Sequence, residues 1–211
     1  MRAVTRRARR ASGEGAMSVR DFVVDDEGWV RDVRALPSPN CEARPDGAVP
    51  TLIVVHNISL PPGEFGGDAI GELFQNRLDC SAHPYYDAHL RGLRVSSHFL
   101  IRRDGALDQF VSCDARAWHA GVSNFFGRER CNDFSIGIEL EGTDHVPFEP
   151  AQYETLAALV RALVARYPID ALAGHSDIAP GRKTDPGPFF DWPRLARQAA
   201  LADRHFPYRK R

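Results

Sequence analysis

Read for its alternation of apolar and polar positions, the chain resolves into short strands interleaved with helices. The segment TLIVVH, Thr51 to His56, is β-branched and apolar on both faces, as a strand in the middle of a sheet must be. His56 stands where this strand is expected to leave the sheet. After the Pro- and Gly-rich LPPGEFGG, Asp68 is placed to cap a helix running through Leu78, with Ile70, Leu73, Phe74 and Leu78 on one side. RVSSHFLI and ALDQFVS, separated by RRDG, read as a hairpin. In FSIGIELEG, Phe134, Ile136, Ile138 and Leu140 form one greasy face, and Ser135, Gly137, Glu139 and Glu141 form a polar one. That polar face, with two carboxylates beyond a bare glycine, is unusual for a buried strand.

Pro150 opens a helix in which Tyr153, Leu156, Leu159, Val160, Leu163, Val164 and Tyr167 recur at helical spacing, and Pro168 stops it. A short strand over Ala171 to Gly174 feeds GHSDIAPGRKTDPGPFFDW, whose three prolines and three glycines argue against a regular helix or a central strand. Asp191 then caps a last helix with Pro193 in its first turn. Together these elements predict an α/β (α+β) fold, a single domain with a central mixed β-sheet flanked by α-helices.

Composition narrows the function classes. With 211 residues, 43% of them hydrophobic, the chain can bury one substantial core. A formal net charge of -1 gives no electrostatic case for nucleic acid or an acidic membrane. The basic ends are expected to be a disordered extension over 1–20 and a basic C-terminal tail over 206–211, which leaves 21–205 as the domain. The arginine-rich opening is followed by no apolar run of the ~7 to 15 residues that an export signal needs, so a cytoplasmic setting is expected. Met17 offers a second possible start. Cys41, Cys80, Cys113 and Cys131 form no CxxC pair and are expected to be free thiols.

Candidate chemistry concentrates around His56 and the Gly174–Trp192 loop, which brings His175 and Asp185 ten residues apart. Two imidazoles and one carboxylate suit zinc and leave a fourth position for water, as a catalytic site requires. Spacing alone does not single out this trio among eight histidines.

The motifs VVHNISLPPGEFGG, HFLIRRDG, WHAG, GRERCNDFSIGIELEG and GHSDIAPGRKTDPGP resemble the zinc-dependent anhydro-N-acetylmuramyl-L-alanine amidases of the AmpD type. The resemblance runs from about Trp29 to Trp192 and implies the T7 lysozyme/peptidoglycan-recognition-protein-like amidase fold. It further implies one Zn2+ per chain, held by His56, His175 and Asp185, with Glu139 and Lys183 catalytic. The implied substrate is a small cytoplasmic muropeptide, with no nucleic acid, membrane or obligate protein partner. Asn57, Arg94, Trp118 and Arg130 are substrate-binding candidates on the same basis.

Several residues retain a second reading. Glu141 shares the strand face with Glu139 and rivals it as the base. His98 and His119 are expected to be hydrogen-bonded pocket histidines rather than ligands. Trp118 fits sugar stacking or core equally well, and Arg94 and Arg130 can equally be solvated. A broader amidase acting on intact peptidoglycan, and a non-catalytic muropeptide-binding module, are the alternative functions.

Overall fold

A computed structural model describes residues 21–45 and 47–209. The expectation for 1–20 lies outside them, as do residues 210 and 211. In chain order the strands are β1 (Arg34–Ala35), β2 (Cys41–Ala43), β3 (Leu52–Ile58), β4 (Phe99–Ile101), β5 (Leu107–Gln109), β6 (Ala115–Ala117), β7 (Asn124–Phe125), β8 (Arg128–Glu129), β9 (Ser135–Glu141) and β10 (Ala171–Gly174). The α-helices are α1 (Ala69–Phe74), α2 (Pro84–His89), α3 (Pro150–Arg166), α4 (His175–Ile178) and α5 (Trp192–Ala199). Six strands make one sheet in the order β1-β5-β4-β9-β3-β10. Only β4 and β5 pair antiparallel within it, as the RRDG turn predicts.

The two longest strands, β3 and β9, lie side by side inside this mixed sheet. Ile53 and Val55 of β3 and Ile136, Ile138 and Leu140 of β9 face one core, which α3 and α5 complete with Leu156, Leu159, Val160, Leu163, Trp192 and Leu195. Leu52 and Val54 face the opposite side, with Ala171, Ala173 and Ile178. A third cluster packs α1 and α2 through Ile70, Leu73, Phe74 and Tyr86 against Leu100 and Phe110. Both sheet faces are therefore covered, and the polar face of β9 is as buried as its apolar one.

Several expectations need correction. Strand β3 continues two residues past His56, so that side chain sits within the ladder. Helix α1 ends at Phe74 rather than Leu78, because the chain turns left-handed at Asn76 with φ 59°. Asp68 makes no capping bond, and its carboxylate lies 3.6 Å from Arg102. Phe134 precedes β9 and packs with Leu52 and Val54, not with Ile136. The Gly174–Trp192 stretch holds one helical turn, α4, before its prolines begin. The stretch 206–209 is folded: Phe206 is buried, Tyr208 stacks on Phe126, and Arg209 bonds Asp177 at 2.6 Å while lying over Trp192. The Asp191 cap does form, accepting from Arg194 N, and the four cysteines are free.

Ile138 is fully buried under α3. Ile138→Ala should cost about 2–5 kcal/mol, through lost burial and the cavity left behind. Chemical denaturation reads this as a lower midpoint at unchanged slope; an unchanged midpoint would contradict the packing described.

Candidate metal centre and active site

Three neighbouring parallel strands deliver the site to one edge of the sheet. In the register of β3 on β9, His56 stands opposite Glu139. On the other side of β3, Gly174 closes β10 opposite Val55, and His175 follows at once as the first residue of α4. The chain then returns. Ser176 N donates to Asp185 O at 2.8 Å, and a Cβ on Gly174 would come within 2.8 Å of Pro186 Cδ, so a bare glycine permits the return.

This return brings Asp185 to the two histidines. His56 Nδ1 lies 3.0 Å from His175 Nδ1 and 2.9 Å from Asp185 Oδ2, which is 3.1 Å from His175 Nδ1. His175 Nε2 is 3.0 Å from the Ala120 carbonyl, which can only accept, so the proton is on Nε2 and Nδ1 presents a lone pair. Burial pushes the His56 imidazole down to about 4, although Asp185 pulls the other way, so the ring is neutral. Two imidazole nitrogens and a carboxylate oxygen at mutual contact suit one cation. Their separations let all three reach the ~2.0–2.2 Å typical of zinc bonds to nitrogen and oxygen. Among the described residues this is the cluster able to hold a metal ion, and its donors fit zinc.

Glu139 lines the same cavity, of about 700 Å³, with His56, His175 and Asp185. It is 8% exposed, and its Oε2 is buried without a hydrogen-bond partner. Burial raises its carboxyl well above the ordinary glutamate value, the nearby Asp185 charge adds to this, and Lys183 opposes it. A carboxyl tuned upward beside a metal centre can both take and return a proton near neutral pH. Lys183 is exposed at the cavity lip. Glu141 is committed elsewhere: its two oxygens accept from Gly66 N, at 2.5 Å, and Arg103 N, at 3.0 Å, and so tie down two loops.

The remaining candidates divide. Asn57 lines the cavity and donates to Asp144 at 2.7 Å. Trp118 is half-buried on the cavity wall, with Nε1 3.2 Å from Glu42 Oε1, and belongs to no core cluster. Arg94 is not brought to this cavity; it is exposed and lines a neighbouring hollow with Asp79 and Arg91. Arg130 is likewise displaced, paired with Asp133 at 3.2 Å beside a third cavity. His98 is buried, with Nδ1 accepting from Gly137 N. Neither periodicity nor spacing marked Tyr85, Asp144 or Arg182, which also line the main cavity.

The sequence profile of a family described as N-acetylmuramoyl-L-alanine amidase matches residues 46–188. A 1,6-anhydro-N-acetylmuramyl-L-alanine amidase AmpD from Salmonella typhimurium (strain SL1344) is 58% identical over 182 residues, covering 85% of this chain and 97% of the relative. The AmpD of Escherichia coli (strain K12) is 60% identical over 172 residues, covering 81% and 93%. A crystal structure of a selenomethionine derivative of AmpD superposes with a TM-score of 0.80 at 58% identity, covering 84% of this chain and 98% of that one. With the profile spanning most of the domain and relatives matched over nearly their whole length, the chain belongs to the N-acetylmuramoyl-L-alanine amidase family, in its AmpD-type branch.

Proposed function

We propose that the protein is a zinc-dependent amidase of the cytoplasm that cleaves the bond between 1,6-anhydro-N-acetylmuramic acid and L-alanine in muropeptides released by wall turnover. The observation that carries this reading is the convergence of His56, His175 and Asp185 beside the buried, unpartnered carboxylate of Glu139. Identity of 58% and 60% over 97% and 93% of the length of two relatives named for that reaction supports the substrate.

His56, His175 and Asp185 are the zinc ligands in this reading. Zinc, when bound, polarises the scissile carbonyl and acidifies the attacking water. Glu139 takes a proton from that water and later delivers one to the departing amine of alanine, a double role that its raised pKa allows. Lys183 places an ammonium at the cavity lip, where it stabilises the oxyanion that forms as the carbonyl is attacked. Asn57, oriented by Asp144, offers its remaining amide proton to the substrate. Trp118 presents its half-buried ring to the sugar.

Three measurements test this. Asp185→Ala should lose bound zinc and activity together; stoichiometric zinc by elemental analysis of the purified variant would remove Asp185 from the ligand set. Glu139→Gln should retain zinc while kcat falls by ~10²-fold or more, as expected for a general base. A near-native kcat would shift the role elsewhere. Mass analysis of products from a defined anhydro-muropeptide should show free stem peptide and anhydro-sugar, and preference for intact sacculi would replace the substrate assigned here.

A further inference from the structure

The bare position on the polar face of β9 is filled from outside the strand. A Cβ on Gly137 would lie 2.5 Å from His119 Cγ and 2.6 Å from its Nδ1, so only glycine lets the His119 imidazole rest against the sheet. From that position the ring reaches two groups. Its Nδ1 is 3.0 Å from His56 Nε2, and its Nε2 is 3.1 Å from Ser135 Oγ. Ser135 Oγ in turn lies 2.6 Å from the Cys131 carbonyl oxygen.

These contacts assign every proton in the chain from one end. The Cys131 carbonyl can only accept, so Ser135 donates its hydroxyl proton there and accepts from His119. His119 therefore carries its proton on Nε2 and leaves Nδ1 bare. The bare nitrogen accepts from His56 Nε2–H. His56 is then unprotonated at Nδ1, the atom facing His175 and Asp185.

We propose that His119 is a positioning residue of the metal centre: through Ser135 and the Cys131 carbonyl it locks His56 in the Nε2–H tautomer and so keeps a bare Nδ1 aimed at the ion. The competitor it suppresses is specific. With no acceptor at Nε2, the Asp185 carboxylate 2.9 Å from His56 Nδ1 favours a proton on that nitrogen, and the proton has to leave before a cation binds.

The neighbouring residue performs the same service for the second histidine. The Ala120 carbonyl accepts from His175 Nε2, as described above. Both backbone N–H groups of this pair donate to one atom, Asn132 Oδ1, at 3.2 Å from His119 and 2.7 Å from Ala120. Two consecutive residues, pinned by one asparagine, thus orient both imidazole donors.

The inference rests on the zinc reading, and its test separates the two. An asparagine amide oxygen can stand near the Nδ1 position of histidine and accept from His56, whereas leucine cannot. Zinc affinity, measured by chelator competition, should fall ~10–100-fold in His119→Leu and stay within a few-fold of wild type in His119→Asn. Thermal midpoints of the zinc-free variants monitor folding independently. In the wild-type protein, long-range 1H–15N correlation spectra should place the proton of His119 on Nε2. Tight zinc binding by His119→Leu, equal loss in both variants, or a proton on His119 Nδ1 would each overturn the proposal. Failure of the wild type to bind zinc would instead overturn the metal reading, while the tautomer spectra still report on His119. If His119→Leu does not fold, Ser135→Ala decides: it frees the His119 tautomer and should weaken zinc binding, and unchanged affinity would count against the lock.

Discussion

The parallel register of β3 on β9 is the constraint on which the site depends. It sets His56 beside Glu139 and Val54 beside Gly137 through backbone hydrogen bonds alone. Because side chains alternate, a slip of one residue would set Leu140 beside His56 and turn Glu139 into the core under α3. That core resists the slip: Ile53, Val55, Ile136, Ile138 and Leu140 must stay against α3 to remain out of water. Hydrophobic burial on one face of the sheet therefore specifies a polar constellation on the other.

The rest of the centre comes from a segment that no ladder holds, and discrete contacts replace the ladder. The Ser176–Asp185 backbone bond closes the loop on itself. Gly187 packs so closely on Asp144 that a Cβ there would lie 2.6 Å from the Asp144 carboxylate, which also accepts from Asn57. Arg182 donates to the carbonyls of Ala120 and Val122, joining the loop to the stretch that carries His119. Arg209 binds Asp177, whose other contact is Gly174 N, so the chain end braces the corner from which His175 projects.

Taken alone, the site is destabilising. Lone pairs converge at about van der Waals contact, and a buried carboxylate oxygen has no partner. A fold serving only stability would not keep such groups, since unpaired buried polar atoms cost free energy that nothing local returns. Here they are held by strands buried on both faces, and a cation held by the three donors would offset part of that cost.

Much of this was legible from residue order. Periodicity found β3, β9, β10, α3 and the Asp191 cap, because each is a local pattern of burial or capping. Residue type brought His56, His175 and Asp185 forward as possible ligands, and the resemblance singled out that trio and pointed to Glu139 and Lys183. The misreadings were tertiary. Asp68 looked like a cap but lies near Arg102, and Arg94 and Arg130 looked like substrate anchors but line other hollows. The closing basic residues looked solvated, although Arg209 has Asp177 and Trp192 to bind. Gly137 was visible as a gap, but not what fills it. Sequence determined which elements form and which chemistry they carry, since propensity and alternation act between near neighbours. Only the tertiary structure decided that His56 meets His175 across 119 residues and His119 across 63, because those contacts follow from strand register and loop closure, which no local pattern encodes.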